Sequence, residues 1–152
     1  MIYYTIESVK ELVKTKLEAS MADLNGESRL PISFPRSIDD YKLNHSKGEI
    51  LIVYKGGKFS PSKAENGVLQ NRDIKIGVIA VIRKTTDNLT PEAYVEWATD
   101  ALSGTELDVD RPDRFITAEE DEWLKEQNYE WWYGITFNVP VVFVEKQYRE
   151  AN

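Results

Sequence analysis

The sequence predicts an α+β fold, in which two main helices pack on a mostly antiparallel sheet of four to five strands. Residues 128–146 alternate between apolar and mixed positions, which is typical of a strand. Residues 5–24 and 90–104 instead repeat their apolar positions with the period of a helix. The order of helix, strands, helix and strands, without an internal repeat, indicates one domain spanning residues 1–152.

The first element is an amphipathic helix over residues 5–24. Thr5 is suited to cap its N-terminus, and Gly26 is suited to end it. The next segment contains two prolines and several turn formers, and it allows one short strand at residues 30–34 that Pro35 ends. The apolar stripe of the helix consists of Ile6, Val9, Leu12, Val13, Leu17, Met21 and Leu24.

Two strands are predicted in the middle of the chain. Residues 49–55 contain a continuous apolar run, which is typical of a central strand buried on both faces. Residues 74–84 carry an apolar face on alternate positions. The interval of residues 55–72 is far longer than a hairpin turn needs, so we expect a long loop that is either functional or mobile.

The second helix is predicted over residues 90–104. Thr90 provides the cap, Pro91 occupies the first helical position and Gly104 ends the helix. Residues 105–113 then form an acidic loop. The apolar stripe of this helix consists of Tyr94, Trp97, Ala98, Ala101 and Leu102.

The last part of the chain is predicted to form a strand hairpin. Residues 115–127 are compatible with a helix or with a ragged strand, and we favour a strand that pairs with residues 130–144. The turn is expected at Gln127 and Asn128. Residues 141–144 are apolar on both faces, which indicates cover on both sides of the sheet.

Composition narrows the classes of function. The chain has no cysteine, which excludes a disulfide framework, a thiolate zinc site and a cysteine nucleophile, and favours a reducing compartment. The N-terminus has no signal-peptide pattern, and no apolar run approaches the ~20 residues of a membrane span, so we expect a soluble cytoplasmic protein. The net charge of -7 argues against binding a phosphate backbone over a broad face, and no sequence-specific nucleic-acid binding is expected.

No catalytic, metal or cofactor constellation stands out in the sequence. The single histidine, His45, lies in a polar turn and is expected to be exposed to solvent. Asp108, Asp110 and Asp113 resemble a calcium loop, but a proline stands at a ligand position and the required glycine is missing, so a solvated acidic loop is favoured. The run KGGK at residues 55–58 lacks the spacing of a phosphate-binding loop. We therefore expect no cofactor.

The candidates for protein interaction fall into three groups. One is a basic arm, Lys55, Lys58 and Lys63, suited to dock on an acidic neighbour. The second is the acidic loop with Asp108 and Asp110, whereas the acidic run at residues 119–122 is interpreted as a solvated face. The third is a tryptophan. Either helices cover both Trp131 and Trp132, which point to opposite faces, or Trp132 or Trp123 anchors a subunit contact.

The succession of four segments resembles a known family. These segments are GEILIVYKGG (48–57), VLQNRDIKIGVIAVIRK (68–84), TPEAYVEWATDALSG (90–104) and E-x-x-x-W-L-x-x-x-x-Y-E-W-W-Y (119–133). Together they resemble the Mu-like prophage tail proteins, which are similar in fold to the tail-terminator proteins of long-tailed phages. The resemblance is one of pattern and spans nearly the whole chain.

This resemblance implies a structural role, with no catalytic residues to carry over. A subunit of this kind is expected to form a ring, a hexamer, on the end of the tail tube, to stop tube growth and to offer a surface to the head. Its partners would be itself, the tail tube protein and head-tail connector proteins, first in the host cytoplasm and then in the virion tail. The loops at residues 55–72 and 105–113 are the candidate docking surfaces, since a ring cap needs two distinct ones.

Two other classes of function are left open by the sequence. A generic interaction module, of the inhibitor or immunity type, would be a stable monomer that binds one soluble partner. An enzyme or small-ligand binder would need a pocket formed only in three dimensions, such as one lined by Trp97 and Tyr133 beside a carboxylate.

Overall fold

The computed structural model describes residues 3–84, 89–108 and 113–149. Its single five-stranded sheet has the strand order β1-β2-β3-β5-β4, and only the β1–β2 pair is parallel. The predicted α+β fold with a mostly antiparallel sheet is therefore confirmed. The elements are α1 (Ile6–Met21), β1 (Ile32–Ser33), β2 (Gly48–Phe59), β3 (Leu69–Arg83), α2 (Pro91–Leu102), β4 (Thr117–Gln127) and β5 (Glu130–Val144), with short 3-10 helices at Gly26–Ser28 and Lys146–Tyr148.

Both predicted helices form, and their N-termini are capped as the sequence indicates. The Thr5 hydroxyl accepts a hydrogen bond from the Ser8 amide at 3.1 Å, and the Ser8 hydroxyl accepts one from the Thr5 amide at 2.8 Å. This reciprocal pair satisfies two amides that the first turn of a helix leaves free. In α2 the Thr90 hydroxyl accepts from the Ala93 amide at 3.2 Å. In the described segments, neither helix is long and apolar enough to cross a membrane.

The two helices cover one face of the sheet, which we call the helix face. Alternate residues of β2, β3 and β5 point to this side, as the period of two predicts. They pack against α1 and α2 and form the main core. The buried strand residues of this core are Ile50, Ile52, Ile74, Ile76, Val78, Ala80, Ile82, Ile135, Phe137, Val139 and Val141.

The opposite side of the sheet, the outer face, is covered at one end by an irregular segment. Residues 36–47 cross it and bury a second apolar cluster, which consists of Leu43, Leu51, Ile79, Val81 and Trp132. Arg83 holds this segment in place, because its guanidinium donates to the carbonyl oxygens of His45 at 3.0 Å and Leu43 at 3.1 Å. The cover on Trp132 is thus irregular chain, not a helix as one of the two predictions required.

The central strands are longer than predicted, and the expected loop at residues 55–72 is wrong. β2 continues through KGGK to Phe59 and β3 begins at Leu69, so only residues 60–68 connect them. A bulge between Tyr54 and Gly56 lets the strand continue, and Gly56 adopts a φ of 104° that favours glycine. Gly56 therefore serves the bulge, and Gly57 lies within the strand opposite Ile74, so neither glycine starts a loop.

The C-terminal hairpin is confirmed, with β4 as a strand and not a helix, but its turn lies one residue later than the predicted Gln127 and Asn128. Gln127 pairs with Glu130, and the two residues between them, Asn128 and Tyr129, have φ values of 53° and 61°. Positive φ at both central positions is what a tight type I′ turn requires. At the far end of β5 only Val141 is buried, whereas residues 142–144 are half-buried, so the predicted cover on both sides is absent there.

Candidate interaction surfaces

Strand β4 forms one edge of the sheet and is exposed along almost its whole length. Its acidic side chains are of two kinds. Glu119 pairs with Lys75 and Glu126 pairs with Lys84. Glu120 and Glu122 are exposed and make no hydrogen bond or ion pair within the described part of the chain. The prediction that residues 119–122 form a solvated face is therefore confirmed, and these residues also define an acidic edge.

Trp123 lies in the same edge strand and is 58% exposed. It pairs with Tyr133 of β5, so its side chain points to the helix face. The Tyr133 hydroxyl donates to Asp121 at 2.9 Å, and this hydrogen bond raises the pKa of the tyrosine. A large exposed indole on an edge strand is available for a protein contact, and the contact predicted for Trp123 stays a prediction.

Strand β2 forms most of the opposite edge. β1 pairs only with Ile50 and Leu51, and among the described residues no strand lies beside residues 54–59 on that side. Tyr54 and Phe59 are 40% and 46% exposed and point to the helix face. Sequence reasoning missed these two aromatic side chains, because residues 55–72 were interpreted as a loop with no fixed facing.

The three lysines of the predicted basic arm do not act together. The Lys55 ammonium turns across the outer face and donates to the Thr136 hydroxyl at 2.8 Å. Lys58 is exposed on the free part of β2 and makes no polar contact within the described residues. Lys63 is exposed in the connection at residues 60–68. The structure therefore leaves Lys58 as the basic group on this edge.

A groove of about 350 Å³ crosses the outer face between the two edges. Gly77 and Gly134 form part of its lining, and Lys55 and Glu122 contribute its charged groups. The remaining lining residues are Ile38, Val53, Tyr54, Ile79, Leu124, Ile135 and Thr136. Tyr133, suggested for a ligand pocket, points to the helix face, and neither it nor Trp97 lines this groove.

At Asp108 the predicted acidic loop is less exposed than expected, whereas Glu106 and Asp113 are exposed. Asp108 is only 8% exposed, and the Tyr4 hydroxyl donates to the neighbouring carbonyl of Leu107. Burial, and then the negative charge of Asp108, raise the pKa of Tyr4. Asp108 is thus not a solvated interaction residue, and that prediction is wrong. Asp110 lies outside the described residues.

The Trp132 side chain is buried within the subunit and is not available for a contact with another chain. Its side chain is 1% exposed, and its indole N–H donates to a Glu130 carboxylate oxygen at 3.2 Å. The Tyr41 ring meets it edge-on, with ring centres 5.7 Å apart, and the Lys125 ammonium lies 4.1 Å above its ring. The prediction of Trp132 as a subunit anchor is wrong, because local chain already fills the space above it.

His45 is half-buried, not exposed as predicted. Its Nδ1 accepts hydrogen bonds from the amides of Lys47 at 3.2 Å and Gly48 at 3.4 Å. This bonding gives the histidine a structural role at the entry to β2. Among the described residues, no group of three or more histidine, aspartate or glutamate side chains is placed to hold a metal ion.

The fold and its surfaces define a small α+β sheet protein with two chemically different free edges, one acidic and one carrying Lys58 and exposed aromatic side chains. The profile of the family described as Gp37 protein matches residues 26–152. The chain therefore belongs to the Gp37 family, which is phage-related. The coarse part of the resemblance is thereby confirmed, whereas the Mu-like and tail-terminator assignments stay predictions.

Comparison with solved structures finds 20 matching chains, of which one is a remote likeness to a virion component. The chain is similar to a chain in a structure described as "Virion of native gene transfer agent (GTA) particle", with 11% sequence identity and a TM-score of 0.48. The match covers 86% of this chain and 94% of that chain. At this level of similarity no conclusion about function rests on it. No curated protein matches the sequence.

Proposed function

We propose that the protein is a structural subunit of a phage or prophage tail. It forms a ring on the end of the tail tube, ends tube growth and prepares the head-tail junction. Membership of a phage-related family supports the phage context. The resemblance of four segments to tail proteins supports the tail assignment, and a ring of six subunits is the expected state.

The single observation that carries this proposal is the pair of unlike free edges of the sheet. An edge strand presents unpaired amide and carbonyl groups that another chain can bind. A ring forms when one surface of a subunit binds a different surface of the next, with a rotation that closes. β4 and residues 54–59 of β2 supply two such different surfaces at opposite edges of one sheet.

Besides the two edges that join subunits, the ring needs a surface that contacts the tube, and residues 60–68 are our candidate for it. This connection lies beyond the ends of β2 and β3, where Ser60 donates to the Asn71 carbonyl and Lys63 to the Leu69 carbonyl, each at 2.9 Å. Its side chains are mostly exposed. The mechanism is association without bond-making chemistry, first in the host cytoplasm and then in the virion tail, with the tube protein and connector proteins as partners.

Two measurements test the proposal. Light scattering over a concentration series, followed by negative-stain imaging of the largest species, is expected to show closed rings, at high concentration or on tube ends. A protein that stays monomeric at every concentration and leaves isolated tubes uncapped would overturn the proposal. Replacing residues 61–66 by a short turn should leave rings intact but give tails of abnormal length, and normal tails would remove this segment from the tube contact.

The groove on the outer face supports a second candidate, a protein-interaction module of the inhibitor type. Its lining is mainly apolar, with Lys55 and Glu122 as charged groups, which suits an apolar side chain of a partner. A stable monomer that binds one soluble protein with equal stoichiometry would favour this candidate over the ring.

A further inference from the structure

We propose that successive copies of this chain join edge to edge, with residues 121–123 of β4 in one copy adding to residues 57–59 of β2 in the next. This inference rests on the proposed function, because it supplies the contact that would close the ring. Strand addition of this kind uses main-chain hydrogen bonds for affinity and side chains for register. The partner is a second copy of the chain.

The positions of the β-bulges determine which part of each edge strand is regular enough to pair. β4 is irregular between Ala118 and Glu120 and again between Trp123 and Lys125, so its regular run against β5 is residues 120–123. β2 is irregular between Tyr54 and Gly56, and its regular run against β3 beyond the bulge is residues 56–59. Since bulges interrupt ladder pairing, each edge offers one regular run of four residues.

The strand directions fit this union. β2, β3, β5 and β4 are successively antiparallel, so β4 runs opposite to β2. Placing Glu122 opposite Lys58 of the next copy shifts neighbouring copies by about six positions along the strands, because Glu122 is level with Leu51 of its own copy. A ring with this shift closes about an axis inclined to the strands, as in a barrel with staggered strands, and a rotation about that axis keeps the strand directions approximately. β4 of one copy therefore meets β2 of the next as an antiparallel neighbour, and the sheet continues with its usual alternation.

Charge is complementary on the outer face of this junction. Glu120 and Glu122 pair with outer-face residues of β5, and Lys58 pairs with Asp73, also on the outer face. In an antiparallel pair, residues directly opposite each other share a face. A register that places Glu122 opposite Lys58 of the next copy brings an unpaired acid to an unpaired base.

The same register fits the helix face. It places Trp123 opposite Gly57 of the next copy, which has no side chain of its own and beside which the Tyr54 hydroxyl lies 3.4 Å from where a Cβ atom would be. The exposed Tyr54 and Phe59 rings of that copy lie on the same face, on either side of the glycine along the strand. An aromatic side chain packed over a strand glycine between two rings buries apolar surface that the free subunit exposes.

Self-pairing of either edge is disfavoured by the same groups. Two β4 edges would bring the acids at residues 119–122 against each other, and two β2 edges would bring Lys58 against Lys58. Like charges directly opposite in a sheet are destabilising. The unlike pairing is the one that forms a closed ring and not a two-fold dimer.

Cysteine cross-linking tests the pairing directly, because the native chain has no cysteine. Glu122→Cys and Lys58→Cys are made singly and together, and a short bismaleimide linker is applied to the full chain at concentrations that give the largest species. We expect the two single variants, when mixed, to yield a cross-linked dimer, while either alone yields none. The double variant should yield a ladder that stops at the number of subunits in the ring.

A control pair carries Glu18→Cys on α1 with Lys58→Cys, and it should give no ladder because α1 lies on the helix side, away from the β4 edge. A charge exchange adds an independent readout: Glu122→Lys and Lys58→Glu should each lower the oligomer fraction at least tenfold, and their combination should restore it. Rings without a cross-link would overturn the edge pairing alone. No oligomer and no cross-link would overturn both proposals, whereas a cross-linked ladder without closed rings would support the pairing and contradict the ring.

Discussion

The Lys55 ammonium donates to the Thr136 hydroxyl at 2.8 Å, so that one side chain crosses the outer face from β2 to β5. It passes over Gly77, where a Cβ atom would lie 2.9 Å from Lys55 Cδ. Lys55→Met keeps the aliphatic stem and removes the donor, and Thr136 is buried. We expect the free energy of unfolding to fall by about 1 kcal/mol, measured by urea denaturation.

Lys58→Met is the matched control for that variant. Lys58 has no polar partner in the described residues, so its replacement should leave the free energy of unfolding of the monomer unchanged. The same change should weaken assembly if Lys58 faces an acid of the next copy. Equal losses of monomer stability in the two variants would contradict the separate roles given to these lysines.

Replacing Trp132 should mainly lower the stability of the monomer, whereas replacing Trp123 should mainly weaken assembly. Trp132→Ala removes a side chain that is 1% exposed and fills the second apolar cluster, which typically costs about 3–5 kcal/mol. Trp123→Ala changes an exposed side chain and should cost less than about 0.5 kcal/mol in the monomer. Urea denaturation checks both values, and light scattering should show a loss of oligomer for Trp123→Ala.

The parts of this fold that could be predicted from the sequence are those that depend on short-range signals. The caps at Thr5 and Thr90, the helical periods and the strand alternation all depend on residues within a few positions, and the helices and the hairpin were predicted from them. The bulge at Gly56 was not, because Lys-Gly-Gly-Lys has the composition of a turn. Only pairing with β3 turns these residues into a strand.

The errors at the candidate sites have the same physical origin. Trp132 is covered by residues 36–47. This irregular segment has neither a helical nor a strand period, so the sequence does not indicate where it packs. Asp108 is buried by long-range packing, although acidic residues, Glu106 and Asp110, lie two positions away on either side in the sequence. Trp123 and Lys58 were predicted as interaction residues from residue type alone. Their placement on opposite edges follows from the strand order, which local sequence does not encode.

The turn at Asn128 and Tyr129 predicts a stabilising substitution. Tyr129 is 82% exposed and holds a φ of 61°, a conformation that costs a non-glycine residue about 1 kcal/mol. Tyr129→Gly should relieve this strain and raise the free energy of unfolding by about 0.5 kcal/mol. Tyr129→Val should lower it by about 1 kcal/mol, because a β-branched side chain tolerates positive φ poorly. Thermal unfolding of the two variants in parallel would contradict the turn geometry if it ranked them in the reverse order.

Tyr94 predicts how stability depends on alkaline pH. Its ring is 1% exposed, its hydroxyl donates to the Ser28 carbonyl at 2.5 Å, and burial raises its pKa to about 12. The unfolded chain has the ordinary value of about 10, so the raised pKa favours the folded state fully below about pH 10. This contribution is lost as the pH rises from about 10 to 12, because the unfolded state then releases a proton that the folded state retains.

Replacing Tyr94 by phenylalanine separates this effect from general alkaline unfolding. At neutral pH the variant should lose about 1 kcal/mol with the Ser28 hydrogen bond. Near pH 11 the wild type should have lost about 1.4 kcal/mol through Tyr94 alone, so that the two proteins become similar in stability. Urea denaturation at the two pH values measures the gap, and Tyr129→Phe is the control for loss of an exposed phenol. A gap for Tyr94→Phe that stays constant with pH would show that Tyr94 ionises equally in both states.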